Sequence, residues 1–156
     1  MGRDADFEEF YRAQWPRLVA ALAHAIPDGD DPRDAAQEAF ARAYARWASV
    51  RNHDRPDAWL FLTAFRLATR IRKKAASSHD LSPSFPFVSE SVDLVMALRT
   101  LPERQRAALL LRGVYGLSTR ETAQALHCRE GTVKSLLARG RAALAASLEV
   151  EDPTHG

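Results

Sequence analysis

Apolar residues recur at helical spacing through the first half of the chain and divide it into three predicted helices. The first runs roughly from Phe7 to Ile26. Pro16 lies inside it, so we expect a kink or a break there, because proline removes a backbone donor. The second has a clear start, with Asp31 as N-cap and Pro32 at its first position. The third runs from about residue 57 to residue 75.

The second predicted helix has one apolar and one polar side. The apolar positions, which we expect to be buried, are Ala35, Ala36, Ala39, Phe40, Ala43, Tyr44 and Trp47. The polar side carries acids and amides that the core of the helix does not need. The polar stretch from Ser49 to Asp57 predicts a loop before the third helix.

The second half predicts about four helices, of which the last two form a helix-turn-helix. A short helix is expected at Val92 to Thr100, and another with Pro102 in its first turn that ends near Gly113 to Gly116. Ser118 and Glu121 have the spacing of a capping box, which opens a helix ending at Leu126. A three-residue turn follows, and an amphipathic helix begins at Glu130. This order is typical of a motif whose second helix enters the major groove.

Residues 77–91, SSHDLSPSFPFVSES, are rich in serine and proline, have no apolar period and predict a flexible linker. The expected fold is therefore all-α, with two small helical domains: three helices in residues 1–76 and four in residues 92–148. Residues 149–156 form an acidic tail. Phe85, Phe87 and Val88 are unusually apolar for a free linker; they either pack on a neighbouring domain or follow the surface of a partner.

The net charge of +2 hides two basic segments. Residues 58–76 contain five bases and no acid, and residues 93–148 contain nine bases and four acids. Two separated basic segments suit two contacts with nucleic acid. The outer face of the last helix is basic as well: Lys134, Ser135, Ala138 and Arg139 share it, with Thr132 and Arg141 at its edges. This face either meets water or binds an anion, and the preceding turn favours a DNA groove.

Other classes of protein find little support. The single cysteine, Cys128, excludes an intramolecular disulfide, and no apolar run of about 18 residues predicts a membrane span. The polar N-terminus lacks the apolar core of a signal peptide, so we expect a cytoplasmic protein. The five histidines are scattered, so no metal site and no cofactor is expected. No paired carboxylates, nucleophile–base pair or phosphate loop predicts an enzyme.

Several motifs together resemble the extracytoplasmic-function (ECF) sigma factors of bacterial RNA polymerase, within the sigma-70 family, over residues 5–148. The motif QEAF at Gln37 resembles the clamp-binding helix of that family. The stretch PDAWLFLTAFRLATRIRKK is similar to the helix that meets the −10 element. LPERQR, GLS and GTVKS, which begin at Leu101, Gly116 and Gly131, resemble the −35-binding domain. The likeness is greatest to the small actinobacterial "sigma-E family".

This resemblance implies a role for each polar cluster. Residues that would dock on core RNA polymerase, through its clamp, are Asp34, Gln37, Glu38 and Arg42; the polymerase flap is a further implied contact. Residues that would contact the −10 element, as double- and single-stranded promoter DNA, are Arg51, Asn52, His53, Arg66, Arg70, Arg72, Lys73 and Lys74. Residues that would contact the −35 element are Thr132, Lys134, Ser135, Arg139 and Arg141. An anti-sigma factor is a further expected partner.

The chain departs from the family pattern at a few positions. Arg66 and Arg70 stand where the family usually has Asn and often has Asp, which strengthens attraction to the DNA backbone and puts the −10 preference in doubt. His127 replaces a usual turn glycine, and we expect it in the left-handed conformation. Trp59 is expected in the core rather than stacked on a base, and Cys128 in packing rather than redox sensing.

Two alternatives to a promoter-recognising sigma factor stay open on sequence. One is a sigma-like decoy that binds an anti-sigma factor without engaging promoters, although such a decoy should lose basic residues like Lys134 and Arg139. The other is a plain helix-turn-helix regulator of transcription.

Overall fold

The computed structural model describes residues 2–26, 31–76 and 92–150, with backbone alone at residues 70–76, 92, 149 and 150. Within these ranges it contains helices and no strand, which confirms the all-α prediction. The helices are α1 (Arg3–Ala25), α2 (Pro32–Ala45), α3 (Trp47–Val50), α4 (Pro56–Ala76), α5 (Val92–Thr100), α6 (Glu103–Gly113), α7 (Thr119–Leu126) and α8 (Glu130–Val150).

The chain divides into two compact units, one with α1 to α4 and the other with α5 to α8. Two helical domains are therefore confirmed, while the boundaries predicted for them stay predictions. The predicted linker at residues 77–91, with Phe85, Phe87 and Val88, lies outside the described residues. Of the predicted acidic tail, residues 149 and 150 continue α8 as backbone, and the rest lies outside as well.

The first unit has one more helix than predicted. Trp47 and Val50, three residues apart, are 4% and 1% exposed. Because both side chains are buried on the same side, they stabilise the additional helical turn α3. The loop expected from residue 49 therefore begins at residue 51. Of the kink or break predicted at Pro16, the break does not occur, because α1 continues through the proline. Leu18 and Leu22, both fully buried one turn apart, anchor the segment after the proline.

The second helix begins as the sequence predicts. Asp31 caps it by accepting a hydrogen bond from the backbone N–H of Arg33 at 2.9 Å, and Pro32 follows at the first position. Hydrogen bonds from the Arg33 side chain to the same carboxylate are the main cause that lowers the pKa of Asp31. The apolar stripe predicted for the second helix is buried with one exception: Tyr44 is 43% exposed. Its hydroxyl donates to Asp4 at 2.8 Å, which keeps the ring at the surface.

The second unit packs α6 and α7 against α8. Its buried residues include Leu111 and Leu117 between the helices and Val133 and Leu137 on the inner side of α8. Gly140 permits a close approach between α8 and α6, because a Cβ built there would lie 2.8 Å from Leu109 Cδ1. The side of α8 that faces the core is therefore the one predicted from its apolar spacing.

Candidate nucleic-acid interfaces

The α7 helix is fixed by a complete capping box at its first turn. The backbone N–H of Glu121 donates to Ser118 Oγ at 3.0 Å, and the backbone N–H of Ser118 donates to Glu121 Oε1 at 2.9 Å. Two donors that would otherwise lack partners at the helix start are thereby satisfied. The predicted capping box is confirmed, and with it the start of the helix-turn-helix.

The turn between α7 and α8 depends on a left-handed residue. His127 has φ 54° and ψ 48°, as its place at a usual glycine position predicts. The backbone N–H of Cys128 then donates to Ala123 O at 3.0 Å, which closes the end of α7. Cys128 is half-buried in this turn, in keeping with a packing role.

Two arginines of α6 hold both ends of α7. Arg112 Nη1 donates to Leu117 O at 2.6 Å, just before the helix, and Arg104 Nη2 donates to Leu126 O at 3.3 Å, at its last residue. One rigid helix therefore sets the position of the short α7, and through the turn it sets the position of α8.

Every residue predicted to contact the −35 element is exposed on α8, between Thr132 and Arg141. They are Thr132, Lys134, Ser135, Arg139 and Arg141. Within the described residues no acidic side chain pairs with Lys134, Arg139 or Arg141, so their charges face solvent. Val133 and Leu137 lie buried on the opposite side. The face is thus cationic and unneutralised, as groove binding requires.

Two further exposed arginines of the helix-turn-helix, Arg120 and Arg129, were not among the predicted DNA contacts. Arg120 is exposed in the first turn of α7, and Arg129 is exposed just before α8. Their basic type could have indicated them, but neither shares the helical spacing used to choose the α8 residues.

The three loop residues predicted to meet the −10 element lie together after α3 but have different surroundings. Arg51 Nη2 lies 2.8 Å from Asp6 Oδ2, and Asn52 Nδ2 donates to Ala48 O at 2.9 Å. His53 is exposed, and its ring centroid lies 6.4 Å from that of Trp59. Trp59 itself is half-buried, so it is only partly in the core where it was expected.

A solvent-open pocket of about 350 Å³ lies beside this loop. Its lining residues are Arg3, Trp47, Ala48, Arg51 and Asn52. Both guanidinium groups already have protein partners, since Arg3 Nη2 donates to Tyr44 O at 2.6 Å and Arg51 pairs with Asp6. The Asp6 carboxylate offsets the charge of Arg51, whereas Arg3, bonded to a neutral carbonyl, keeps its positive charge.

The far end of the loop is fixed by an ion-pair network around Asp57. Arg55 Nη2 and Arg17 Nη1 lie 2.9 Å and 3.1 Å from Asp57 Oδ2, and the backbone N–H of Ala58 donates to Asp57 Oδ1 at 2.9 Å. Burial alone would raise the pKa of Asp57, but the Arg55 hydrogen bonds and the arginine charges outweigh it, so the pKa is lowered. The network joins α1 to the first turn of α4.

The basic end of α4 is described in part. Arg66 is exposed, which leaves its guanidinium available to a phosphate. The side chains of Arg70, Arg72, Lys73 and Lys74 lie outside the described residues, although their backbone continues α4.

The predicted polymerase-docking residues Asp34, Gln37, Glu38 and Arg42 are all exposed along α2. Arg42 Nε donates to Glu38 Oε1 at 3.3 Å, and both side chains remain about half exposed. An exposed pair of this kind is weak, so Glu38 can exchange Arg42 for a basic partner at little cost.

The residues that the structure describes contain no cluster of His, Cys, Asp and Glu side chains fit to hold a metal ion. Across the same residues, no helix has the length and apolar content needed to span a membrane.

Comparisons with known proteins agree on one family. The Sigma-70 region 2 model matches residues 10–78 and the Sigma-70, region 4 model matches residues 91–144. The RNA polymerase sigma-E factor of Streptomyces coelicolor is 33% identical over 161 residues, covering 97% of this chain and 91% of that protein. The ECF RNA polymerase sigma factor SigM of Mycobacterium tuberculosis is 31% identical over 150 residues, covering 91% and 76%.

One solved structure matches most of the chain. It is the sigma factor RpoE in complex with the anti-sigma factor NepR from Bartonella quintana, with a TM-score of 0.76 and 26% identity. The match covers 94% of this chain and 99% of that one.

Proposed function

Since this chain belongs to the sigma-70 family of RNA polymerase sigma factors, we propose that its two units contact the −35 and −10 elements of a promoter separately. As an alternative sigma factor of the ECF group, it directs transcription initiation. The proposal concerns which surfaces of the chain perform each contact. We infer domain boundaries at residues 76 and 92 and no catalysis by the chain itself.

The exposed basic face of α8 is the observation that supports the −35 contact most strongly. Lys134 and Arg139 lie exposed on one side of α8, no described acid pairs with them, and a capped helix and a tight turn precede them. A helix so placed inserts its first turns into the major groove, where Lys134 and Ser135 reach base edges. Thr132 and Arg141, at the edges of the face, bind phosphates.

The −10 contact falls to the first unit. The loop of residues 51–53 contacts a base that leaves the stack, and exposed Arg66 with the basic end of α4 holds phosphates of the separated strand. The exposed α2 residues, Asp34 and Glu38 among them, dock on a basic helical surface of the core polymerase clamp, with the second unit at the flap.

We also infer an anti-sigma factor as a partner, because the similar solved structure is a complex of that kind. Such a partner controls the chain by covering its basic faces. Because the chain acts with RNA polymerase, the cytoplasm is its expected location.

The test is selection from a duplex library of random sequence by the holoenzyme formed with core polymerase. We expect two enriched sequence blocks at a fixed spacing. Replacing both Lys134 and Arg139 with Ala should weaken or abolish enrichment of the upstream block and spare the downstream one. Enrichment that needs no core polymerase would favour a plain helix-turn-helix regulator, and no enrichment alongside retained anti-sigma binding would favour a decoy.

A further inference from the structure

The loop that joins α3 to α4, residues 51–55, is tied to α1 at both of its ends. At the first end Arg51 Nη2 lies 2.8 Å from Asp6 Oδ2. At the far end Arg55 and Arg17 share the carboxylate of Asp57, at 2.9 Å and 3.1 Å. Arg51 pairs with α1 directly, and Arg55 is linked to α1 through Asp57 and Arg17, so α1 helps to set where the loop lies.

The side chains of Arg51 and Asn52 make contacts within the protein that hold the loop in place. Asp6, the partner of Arg51, is only 22% exposed, so its carboxylate depends on that guanidinium for a charged neighbour. Asn52 Nδ2 donates to Ala48 O and so satisfies a carbonyl of α3. The backbone N–H of Arg51 continues the helical pattern by donating to Trp47 O at 2.9 Å. The first part of the loop is therefore held in one conformation.

His53 differs from these two residues. It is exposed, and its ring lies 6.4 Å from the Trp59 ring at an interplanar angle of 50°. Trp59 is half-buried in the first turn of α4, so it supports the imidazole from a fixed position. An exposed aromatic ring with a rigid neighbour is the kind of platform on which an unstacked base binds.

We propose that Arg51 is a positioning residue that acts through Asp6 and does not contact DNA, and that the ring of His53, supported by Trp59, receives the unstacked base. This inference rests on the promoter-opening role proposed above and divides that role among the loop residues. It reassigns Arg51, which the family resemblance placed among the −10 contacts.

A charge swap separates positioning from DNA contact. The probe is a duplex that the wild-type holoenzyme has selected from a random library, and strand opening is followed by permanganate reactivity of its thymines. Asp6→Arg and Arg51→Asp should each slow opening about three- to tenfold, because each puts like charges together. The double variant restores the pair in reverse and should open the duplex within about twofold of wild type.

If Arg51 touches DNA instead, the double variant must stay as defective as Arg51→Asp, because Asp at that position repels phosphate. That result would overturn the proposal. The matched control is the swap Glu8→Arg with Arg12→Glu, an exposed pair on the same helix that touches no loop residue. Should Asp6→Arg fold poorly, Asp6→Asn and Arg51→Gln form a milder double-mutant cycle. Coupling of the two substitutions in the opening rate is then the expected result, and additivity would overturn the proposal.

The His53 part has its own variants. His53→Ala should slow opening by about fivefold to a hundredfold, the worth of one base stacked on an aromatic ring, and His53→Phe should stay within about threefold of wild type. Opening by His53→Ala at the wild-type rate would overturn it. If the wild-type holoenzyme selects no duplex at all, the proposed function fails. That result can be told apart from a failure of the roles assigned to Arg51 and His53, which only the variants test.

Discussion

The Asp57 network gives a prediction about the stability of the first unit that can be worked from distances. Asp57 is 13% exposed and has two arginine partners, with Arg55 28% and Arg17 36% exposed. Asp57→Asn keeps the shape but removes the charge that both guanidinium groups face. Charged hydrogen bonds contribute about 1.5–3 kcal/mol each, and partial exposure of both arginines screens them. We therefore expect a loss of about 2 kcal/mol in the free energy of unfolding.

Urea unfolding followed by tryptophan fluorescence measures this loss in the full chain. All three tryptophans, Trp15, Trp47 and Trp59, belong to the first unit, so the signal reports that unit alone. With a slope of about 1 kcal/mol per molar urea, the midpoint should fall by about 2 M. Glu8→Gln is the matched control, because Glu8 is 60% exposed and pairs with one arginine. It should shift the midpoint by less than about 0.5 M.

The difference in unfolding free energy between wild type and Asp57→Asn should depend on pH. Because the pKa of Asp57 is lowered in the folded state, its contribution is fully present above the unfolded-state value of about 3.9 and is lost as the pH falls through the folded value. The gap between wild type and Asp57→Asn should therefore be constant from about pH 7 to pH 5 and shrink below about pH 4. A gap that matches the Glu8→Gln gap at pH 7, or that grows on acidification, would refute the reasoning.

Further predictions concern the second unit. Lys134→Ala and Arg139→Ala should each lower the affinity for a duplex that contains the selected upstream block. Where the lost contact is to a phosphate, the slope of log K, the logarithm of the association constant, against log salt concentration should fall by about one unit. A double variant with wild-type affinity across a salt titration would contradict this. Gly140→Ala should be nearly neutral, because its Cβ, 2.8 Å from Leu109 Cδ1, displaces only the end of a flexible side chain while alanine favours the helix. Gly140→Val adds two γ-methyl groups at the same contact and should destabilise the unit by about 2 kcal/mol or more; equal melting temperatures of the two variants by circular dichroism would count against the close approach. His127→Gly should raise stability by about 0.5–1 kcal/mol by relieving φ 54°, and a loss of stability by the same measurement would contradict it.

Features that depend on neighbours in the sequence were predicted well. The capping box needs only Ser118 and Glu121 three residues apart, and the turn needs a residue that tolerates a positive φ, so local chemistry determines both. The cationic face of α8 likewise follows from spacing, because one side of that helix must be buried. The exposure of the α2 polar side follows for the same reason.

Features that depend on contacts across the chain were not predictable in this way. Trp47 and Val50 form α3 because both find a buried site, and propensity alone does not show that. Tyr44 stays at the surface because Asp4, 40 residues earlier, accepts its hydroxyl hydrogen bond. The pair of Asp6 with Arg51 also joins distant positions, so the sequence pattern could not show that this loop arginine has a protein partner.

Transcription in vitro with core RNA polymerase tests the central claim most directly. Templates that the holoenzyme has selected from a random duplex library are transcribed with wild-type chain and with the Lys134→Ala, Arg139→Ala double variant. The account predicts transcripts that start at one position downstream of both selected blocks, require this chain, and fall sharply with the double variant. No defined start with the wild-type chain, or unchanged transcription with the double variant, would contradict it.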